Sequence, residues 1–425
     1  MKVEIRRSGV KGTVAAPPSK SYTHRALICS ALAQGKSRIL NPLYSDDTGA
    51  TCSVLGELGV GLSTDPELWE VVGGELEKPD SDLFCRESAT TLRFMATVCA
   101  LVDGTSRLTC GPALSRRPVG PLLDGLRQLE VDCRSNGGFP PAVIKGIGRI
   151  RGGSAAIRGD ISSQFVSAIL LVSPLADRPV SLKLTTPLES RPYVSMTMDT
   201  QRRFGVEVQA SGNMREFQVQ RQIYNPTEFA VEGDWSSAAY LLAAGGLAGK
   251  VTVLGLKPKS LQADSAIIDI LKKMGAQVDL KGTAVSVKSS SLKGLEFDVS
   301  DCPDLFPVVS ALCAVADGTS VLRGIRRLRY KESDRVMAMV EGLRNMGVKA
   351  TRRGDGVTIV GTTPRGGLID PKNDHRIAMA FSVVGLVAEG ETVILDADCV
   401  SKSYPGFWDA MGKLGVGLRR IGDEQ

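Results

Sequence analysis

Apolar and polar positions alternate along this chain in a pattern that returns six times. An amphipathic helical stretch ends in Leu, Met or Phe, a Gly follows (Glu in one copy), then Val or Ala, and then a strand-like alternation. The copies are Leu58-Gly59-Val60, Leu129-Glu130-Val131, Phe204-Gly205-Val206, Met274-Gly275-Ala276, Met346-Gly347-Val348 and Leu414-Gly415-Val416, at steps of 71, 75, 70, 72 and 68 residues. A second register keeps the same period: an Ala/Leu/Val-rich helix stops at a turn before a β-branched strand, at Gly35, Gly104, Arg178, Gly249, Gly318 and Gly390. Two registers with one period predict six copies of a single α/β unit. The first helix of each unit is apolar on every side, as in Phe165–Val172 and Ala238–Ala244, and such a helix must be buried. The second is amphipathic, as in Ile267–Met274.

Helices inside and sheets outside invert the usual doubly wound arrangement, and the units are too long for a (β/α)8 barrel at roughly 30 residues per step. The pattern predicts a two-domain, inside-out α/β barrel of β-α-β-α-β-β units, three per domain. The chain would cross at Pro17-Pro18 and at Val231–Asp234. The first domain is then 18–231, and the second joins 1–17 to 232–425, with the N-terminal strand completing it.

Composition adds bounds. At 425 residues two domains are the default, and 43% hydrophobic with 23% charged residues is globular. No apolar run reaches membrane length, and Met1–Arg6 reads as a strand rather than a leader, so a cytoplasmic protein is expected. The nine cysteines include no Cys-x-x-Cys and read as free thiols. With His24 and His375 the only histidines, no zinc site is expected. A net charge of +6 suits small anionic substrates and shows no basic stripe for nucleic acid.

Chemistry concentrates where the apolar helices begin. Pro17-Pro18-Ser19-Lys20-Ser21-Tyr22-Thr23-His24-Arg25 caps a helix start with hydroxyls and adds two cations, a socket suited to phosphate or carboxylate. The other starts share that grammar: Glu87–Arg93, Gly159–Phe165, Gly233–Ser237, Asp301–Asp304 and Lys372–Arg376, with Tyr330–Arg335 between the last two. Each has a plain alternative. Ser162-Ser163 and Asp304 serve equally as caps, Lys331–Arg335 as a solvated charge run, and His375-Arg376 as surface residues. Recurrence at one phase of the repeat favours an anion site in the interdomain cleft, with Lys20, Arg25, Arg117, Lys331, Arg335, Arg376 and Lys402 supplying charge.

Taken in order, Lys20-Ser21-x-x-x-Arg25, Leu92-Arg93, Arg117-Pro118, Ser162-Ser163-Gln164, Ser190-x-x-Tyr193, Lys331–Arg335, Asp374-His375-Arg376 and Lys402 resemble the EPSP synthase family of enolpyruvyl transferases over the whole chain. The resemblance implies transfer of the enolpyruvyl group of phosphoenolpyruvate to the 5-hydroxyl of shikimate 3-phosphate through a tetrahedral ketal, by a monomer without cofactor or metal. It implies that Lys20, Ser21, Arg25, Ser162, Ser163, Gln164, Ser190, Tyr193, Asp304, Arg327 and Lys331 hold the sugar phosphate. Lys20, Ala89, Arg117, Gln164, Arg335, Arg376 and Lys402 would hold phosphoenolpyruvate. Asp304 is implied as general base, and Glu332 with Lys20 as the proton carriers at the methyl carbon.

The sequence departs from the family in places. Glu87-Ser88-Ala89-Thr90 replaces Asn-Ala-Gly-Thr, which puts Glu87 in doubt as a ligand and sets a methyl at Ala89. That methyl implies weakened inhibition by glyphosate. Arg327 stands where an amide is usual. The sister activity on UDP-N-acetylglucosamine has a cysteine five residues before the Arg-Pro pair; here that residue is Pro112, and Cys110 is out of phase. A nucleic-acid binder needs stacking aromatics, which are 5% of this chain. A non-catalytic binder would not need Glu332 and Asp304.

Overall fold

The computed structural model describes residues 1–422. The chain divides into two compact units, one of Pro18–Val231 and one of Met1–Pro17 with Glu232–Gln425. Each has its own apolar core, built around Leu27, Phe94 and Phe165 in the first and Leu241, Phe306 and Phe381 in the second. The core helices of the first unit are Lys20–Leu32, Ala89–Val98 and Ser163–Val172; those of the second are Trp235–Ala248, Phe306–Val315 and His375–Gly385. Trp235–Ala248 buries twelve of its fourteen residues and His375–Gly385 all of them, so neither keeps a face for water.

Six four-stranded sheets surround these helices and share one order: a parallel pair, then two antiparallel pairs. Residues 83–147, 153–219 and 296–360 each run strand, helix, strand, helix, strand, strand. The recurring turn has a single physical cause. Gly59, Gly205, Gly275, Gly347 and Gly415 all lie at φ between 80° and 96°, where a Cβ is costly. The sixth copy, Glu130, accepts φ 65° without being glycine. In the second register Gly249 is constrained otherwise: its backbone is extended, and a Cβ there would overlap the Val10 carbonyl.

Two expectations are corrected. The sheets form no closed barrel: among the described residues no ladder joins one sheet to another. Several of the outermost strands are short, Gly61–Thr64 and Gln209–Ala210 for example, and give a neighbour little edge to extend. Second, residues before Pro17 supply two strands rather than one. Lys2–Arg6 pairs between Glu391–Ile394 and Leu418–Ile421, while Val10–Ala15 runs parallel to Gly249–Leu254. In the first unit the late strand Glu228–Ala230 returns beside Gly35–Leu40.

All nine cysteines are free thiols. Among the described residues no helix is long and apolar enough to cross a membrane, and no group of three or more His, Cys, Asp or Glu could hold a metal ion.

Candidate active site

In the unit Pro18–Val231 the three core helices are capped by serines. Ser19 accepts from the Tyr22 amide, Ser88 from Thr91 and Ser162 from Gln164, so each helix starts with a neutral cap and an undiminished positive dipole. Arg25, one turn into the first of these helices, is 2% exposed. Its Nε donates to Thr197 Oγ1 at 2.8 Å, and its terminal nitrogens donate to the Ser21 and Tyr193 carbonyls at 2.9 Å each. Burial pulls this guanidinium down to about 10. Lys20 Nζ lies 2.6 Å from Asp47 Oδ2. Arg93 donates to Gln164 Oε1 at 2.7 Å and Ser162 Oγ at 3.2 Å, and Gln164 Nε2 donates to Thr90 Oγ1 at 2.9 Å. Ser163 and Ala89 are buried in the first turns of their helices, and Ser190 is buried at φ 54° before Arg191–Arg203. Arg117 is also buried, its amide bonded to the Leu114 carbonyl.

The other unit is built on carboxylates. Asp374 caps the helix His375–Gly385 and also accepts from Arg335 Nε at 2.8 Å and Ser333 Oγ at 3.1 Å. Asp304, in a short turn before Phe306–Val315, accepts from Arg335 at 2.7 Å and Lys331 at 3.1 Å, with Arg376 at 3.2 Å. Arg335 reaches a third carboxylate, Glu332, at 2.6 Å. Burial by itself would raise the Asp304 carboxyl; Arg376, Lys331 and Arg335 together outweigh it and hold that group well below the usual range. Behind Asp304, Asp264 is pushed the other way, up to about 7, first by burial and then by the like charge of Asp304. Lys331 is pulled down by burial, and Arg335 is held well above its ordinary value because Asp374, Glu332 and Asp304 outweigh burial.

Ser162 is the helix cap that its plain reading describes, while the plain readings of Arg335, His375-Arg376 and Asp304 are replaced. Arg335, His375 and Arg376 are buried rather than solvated, and the Asp304 carboxylate binds cations instead of a helix end. Arg327 and Lys402 join this cluster less directly, donating to the Ser300 carbonyl at 2.7 Å and the Asn373 carbonyl at 2.6 Å.

Comparison with known proteins decides the family. The model of EPSP synthase (3-phosphoshikimate 1-carboxyvinyltransferase) matches residues 6–411. This chain belongs to the EPSP synthase family. It is 43% identical over 417 residues to the 3-phosphoshikimate 1-carboxyvinyltransferase of Dehalococcoides mccartyi, covering 98% of each chain. The protein of that name from Methanocorpusculum labreanum is 40% identical over 425 residues, 99% of this chain and 100% of its own. A solved EPSP synthase from Acinetobacter baumannii superposes with a TM-score of 0.83 at 28% identity, covering 98% and 99% of the two chains.

Within this family member, sequence reasoning passed over Asp47, Thr197 and Asp264. Asp47 follows the Ser45 cap as an ordinary first-turn acid and gives no sign that it binds Lys20. Thr197 is one of several hydroxyl residues in an amphipathic helix. Gln262-Ala263-Asp264 carries one detectable signal, an acid opening a turn that leads into an amphipathic helix.

Proposed function

We propose that this chain transfers the enolpyruvyl group of phosphoenolpyruvate to the 5-hydroxyl of shikimate 3-phosphate and releases phosphate, acting as a cytoplasmic monomer without cofactor or metal. The observation that carries the reading is the half-buried Asp304, gripped by Arg335, Arg376 and Lys331 in a member of this family. Ser21, Arg25, Ser162, Ser163, Ser190, Tyr193, Arg327 and Lys331 hold the sugar phosphate. Arg117, Arg335, Arg376 and Lys402 clamp phosphoenolpyruvate, with Lys20 and Gln164 serving both.

Chemistry follows from the charges. A carboxylate held low by three cations is a weak base, since a base works best with a pKa near the operating pH. An anionic substrate that draws those cations toward itself weakens their hold and raises Asp304 when a base is needed. The route begins with a proton delivered to the methylene carbon by Glu332, assisted by Lys20. Asp304 then takes the 5-hydroxyl proton as that oxygen bonds to C2, giving the tetrahedral ketal. Loss of a methyl proton back to Glu332 expels phosphate and restores the double bond.

The test is phosphate release on mixing both substrates, which we expect for shikimate 3-phosphate and not for UDP-N-acetylglucosamine. Glu332→Gln should lower turnover by about 100-fold or more. Unimpaired turnover in that variant would remove Glu332 from the mechanism.

A further inference from the structure

Glu87 stands where the family usually has an amide, directly before the Ser88 cap of the helix Ala89–Val98. Its carboxylate turns toward the loop that leads to Arg117. Oε2 accepts from the Leu114 amide at 2.7 Å and Oε1 from the Ala113 amide at 3.3 Å. These amides open the short turn Leu114–Arg116, whose first N–H groups have no partner within the turn. The same loop is tied down by the Gly111 amide on the Arg86 carbonyl at 2.8 Å and by the Ser115 amide on the Gly111 carbonyl at 3.0 Å. Arg117, buried, closes the turn through its own amide on the Leu114 carbonyl at 2.9 Å.

We propose that Glu87 is a positioning residue that fixes the Arg117 loop to the start of the helix Ala89–Val98. The inference rests on the reading of Arg117 as a phosphoenolpyruvate ligand. Each of the two donors meets its own oxygen, an arrangement that a carboxylate supplies. An amide offers one oxygen and would turn its own N–H groups toward the second donor. The loop is shaped around this acid, because any Cβ at Gly111 would overlap the Glu87 carboxylate. Glycine at 111 and glutamate at 87 are thus one device. Thr90, three residues after Glu87, receives a hydrogen bond from Gln164, so the helix start that Glu87 anchors is itself held on its other side.

The experiment compares Glu87→Gln and Gly111→Ala with the parent in two readouts. The first is hydrogen exchange of the Ala113 and Leu114 amides without substrate, expected to accelerate about tenfold or more in both variants. The second is steady-state kinetics. KM for phosphoenolpyruvate should rise by about tenfold, while KM for shikimate 3-phosphate and kcat at saturation stay within about twofold. Gly111→Ala is decisive because it keeps the carboxylate and only dislodges it. Unchanged exchange in both variants would overturn the proposal. So would a lower KM for phosphoenolpyruvate in Glu87→Gln, which would mean that the carboxylate faces and repels the substrate. Arg117→Ala separates this inference from the functional reading. If exchange accelerates in the Glu87 variant while Arg117→Ala leaves KM for phosphoenolpyruvate unmoved, the loop buttress stands and the assignment of Arg117 fails.

Discussion

The two units treat their buried cations in opposite ways. In Pro18–Val231 the guanidinium of Arg25 is held by a hydroxyl and two backbone carbonyls, and the core helices are capped by serine. In the other unit Arg335 meets three carboxylates, Arg376 and Lys331 share Asp304, and two core helices are capped by Asp234 and Asp374. Neutral oxygens orient a cation without cancelling its field, so the first unit presents charge to a ligand at once. Carboxylates cancel the field, so in the second unit an anion has to compete, and each carboxylate responds when it does. On the proposed reading both units bind, and the second also holds the carboxylates that change protonation. Lys20, paired with Asp47, is the exception that carries the second behaviour into the first unit.

The sharpest way to break this contrast is to take the shared carboxylate away. Asp304→Asn should lower kcat by about 1,000-fold, within the range for loss of a general base. The same change removes the carboxylate charge that Arg376 and Lys331 share and one of the three that hold Arg335, so equilibrium binding of phosphoenolpyruvate should hold or tighten. Weaker binding would mean that Asp304 organises the cations rather than competing with the substrate for them.

A matched pair of substitutions tests the contrast in stability. Arg335→Met takes from Asp374, Glu332 and Asp304 the one cation that they share, and breaking a buried network in this way costs about 3–5 kcal/mol, which corresponds to a melting temperature lower by on the order of 10 °C. Arg25→Met removes a charge that burial has already pulled down to about 10, and so removes a penalty along with three hydrogen bonds. Its melting temperature should stay within about 3 °C of the parent, while KM for the sugar phosphate rises by roughly 100-fold. Equal losses of stability in the two variants would erase the distinction.

These surroundings also explain what the sequence could and could not disclose. The turn around Gly59, Gly205, Gly275, Gly347 and Gly415 was legible because left-handed backbone selects glycine locally, whatever lies around it. The serine and aspartate caps were legible for the same reason, since a cap and the amide it serves are two or three residues apart. The identity of each cation's partner was not. Arg25 meets Thr197 across 172 residues and Lys20 meets Asp47 across 27, and no local pattern encodes either pairing. The separation of the sheets escaped for a related reason: strand pairing depends on which edges stay short, which periodicity does not state.

Asp264 sharpens the comparison through pH. Its folded value of about 7 lies above that of an exposed carboxyl, roughly 4. Between those two values the folded chain keeps a proton that the unfolded chain has released. Stability therefore falls as pH rises through this window, by up to about 1.4 kcal/mol per unit. Asp304, held low, acts in the opposite sense: its contribution is present above the unfolded value and is lost only as pH falls toward the acid end. Asp264→Asn keeps an acceptor for Ser236 Oγ and removes the slope. Melting temperatures of the variant and parent should diverge from pH 5 to pH 8, with the variant higher at pH 8. Parallel curves would show that Asp264 does not titrate there.

The smallest effect concerns the narrowest part of the first unit. The Ala89 methyl sits in the first turn behind the Ser88 cap, 6% exposed, where the family's usual glycine would leave space beside the amides of the helix start. Two anions of similar charge should respond differently to that methyl. If phosphoenolpyruvate binds at this helix start as proposed above, it leaves room in this region, whereas glyphosate, filling the pocket more completely, would overlap the added carbon. Overpacking by one methyl costs about 1–3 kcal/mol, equivalent to roughly tenfold or more in affinity. Ala89→Gly should therefore lower the glyphosate inhibition constant by at least about tenfold while KM for phosphoenolpyruvate changes less than about threefold. A submicromolar inhibition constant in the parent would show that the methyl lies clear of the inhibitor. The neutral cap, rather than the space beside it, would then set anion affinity at this helix.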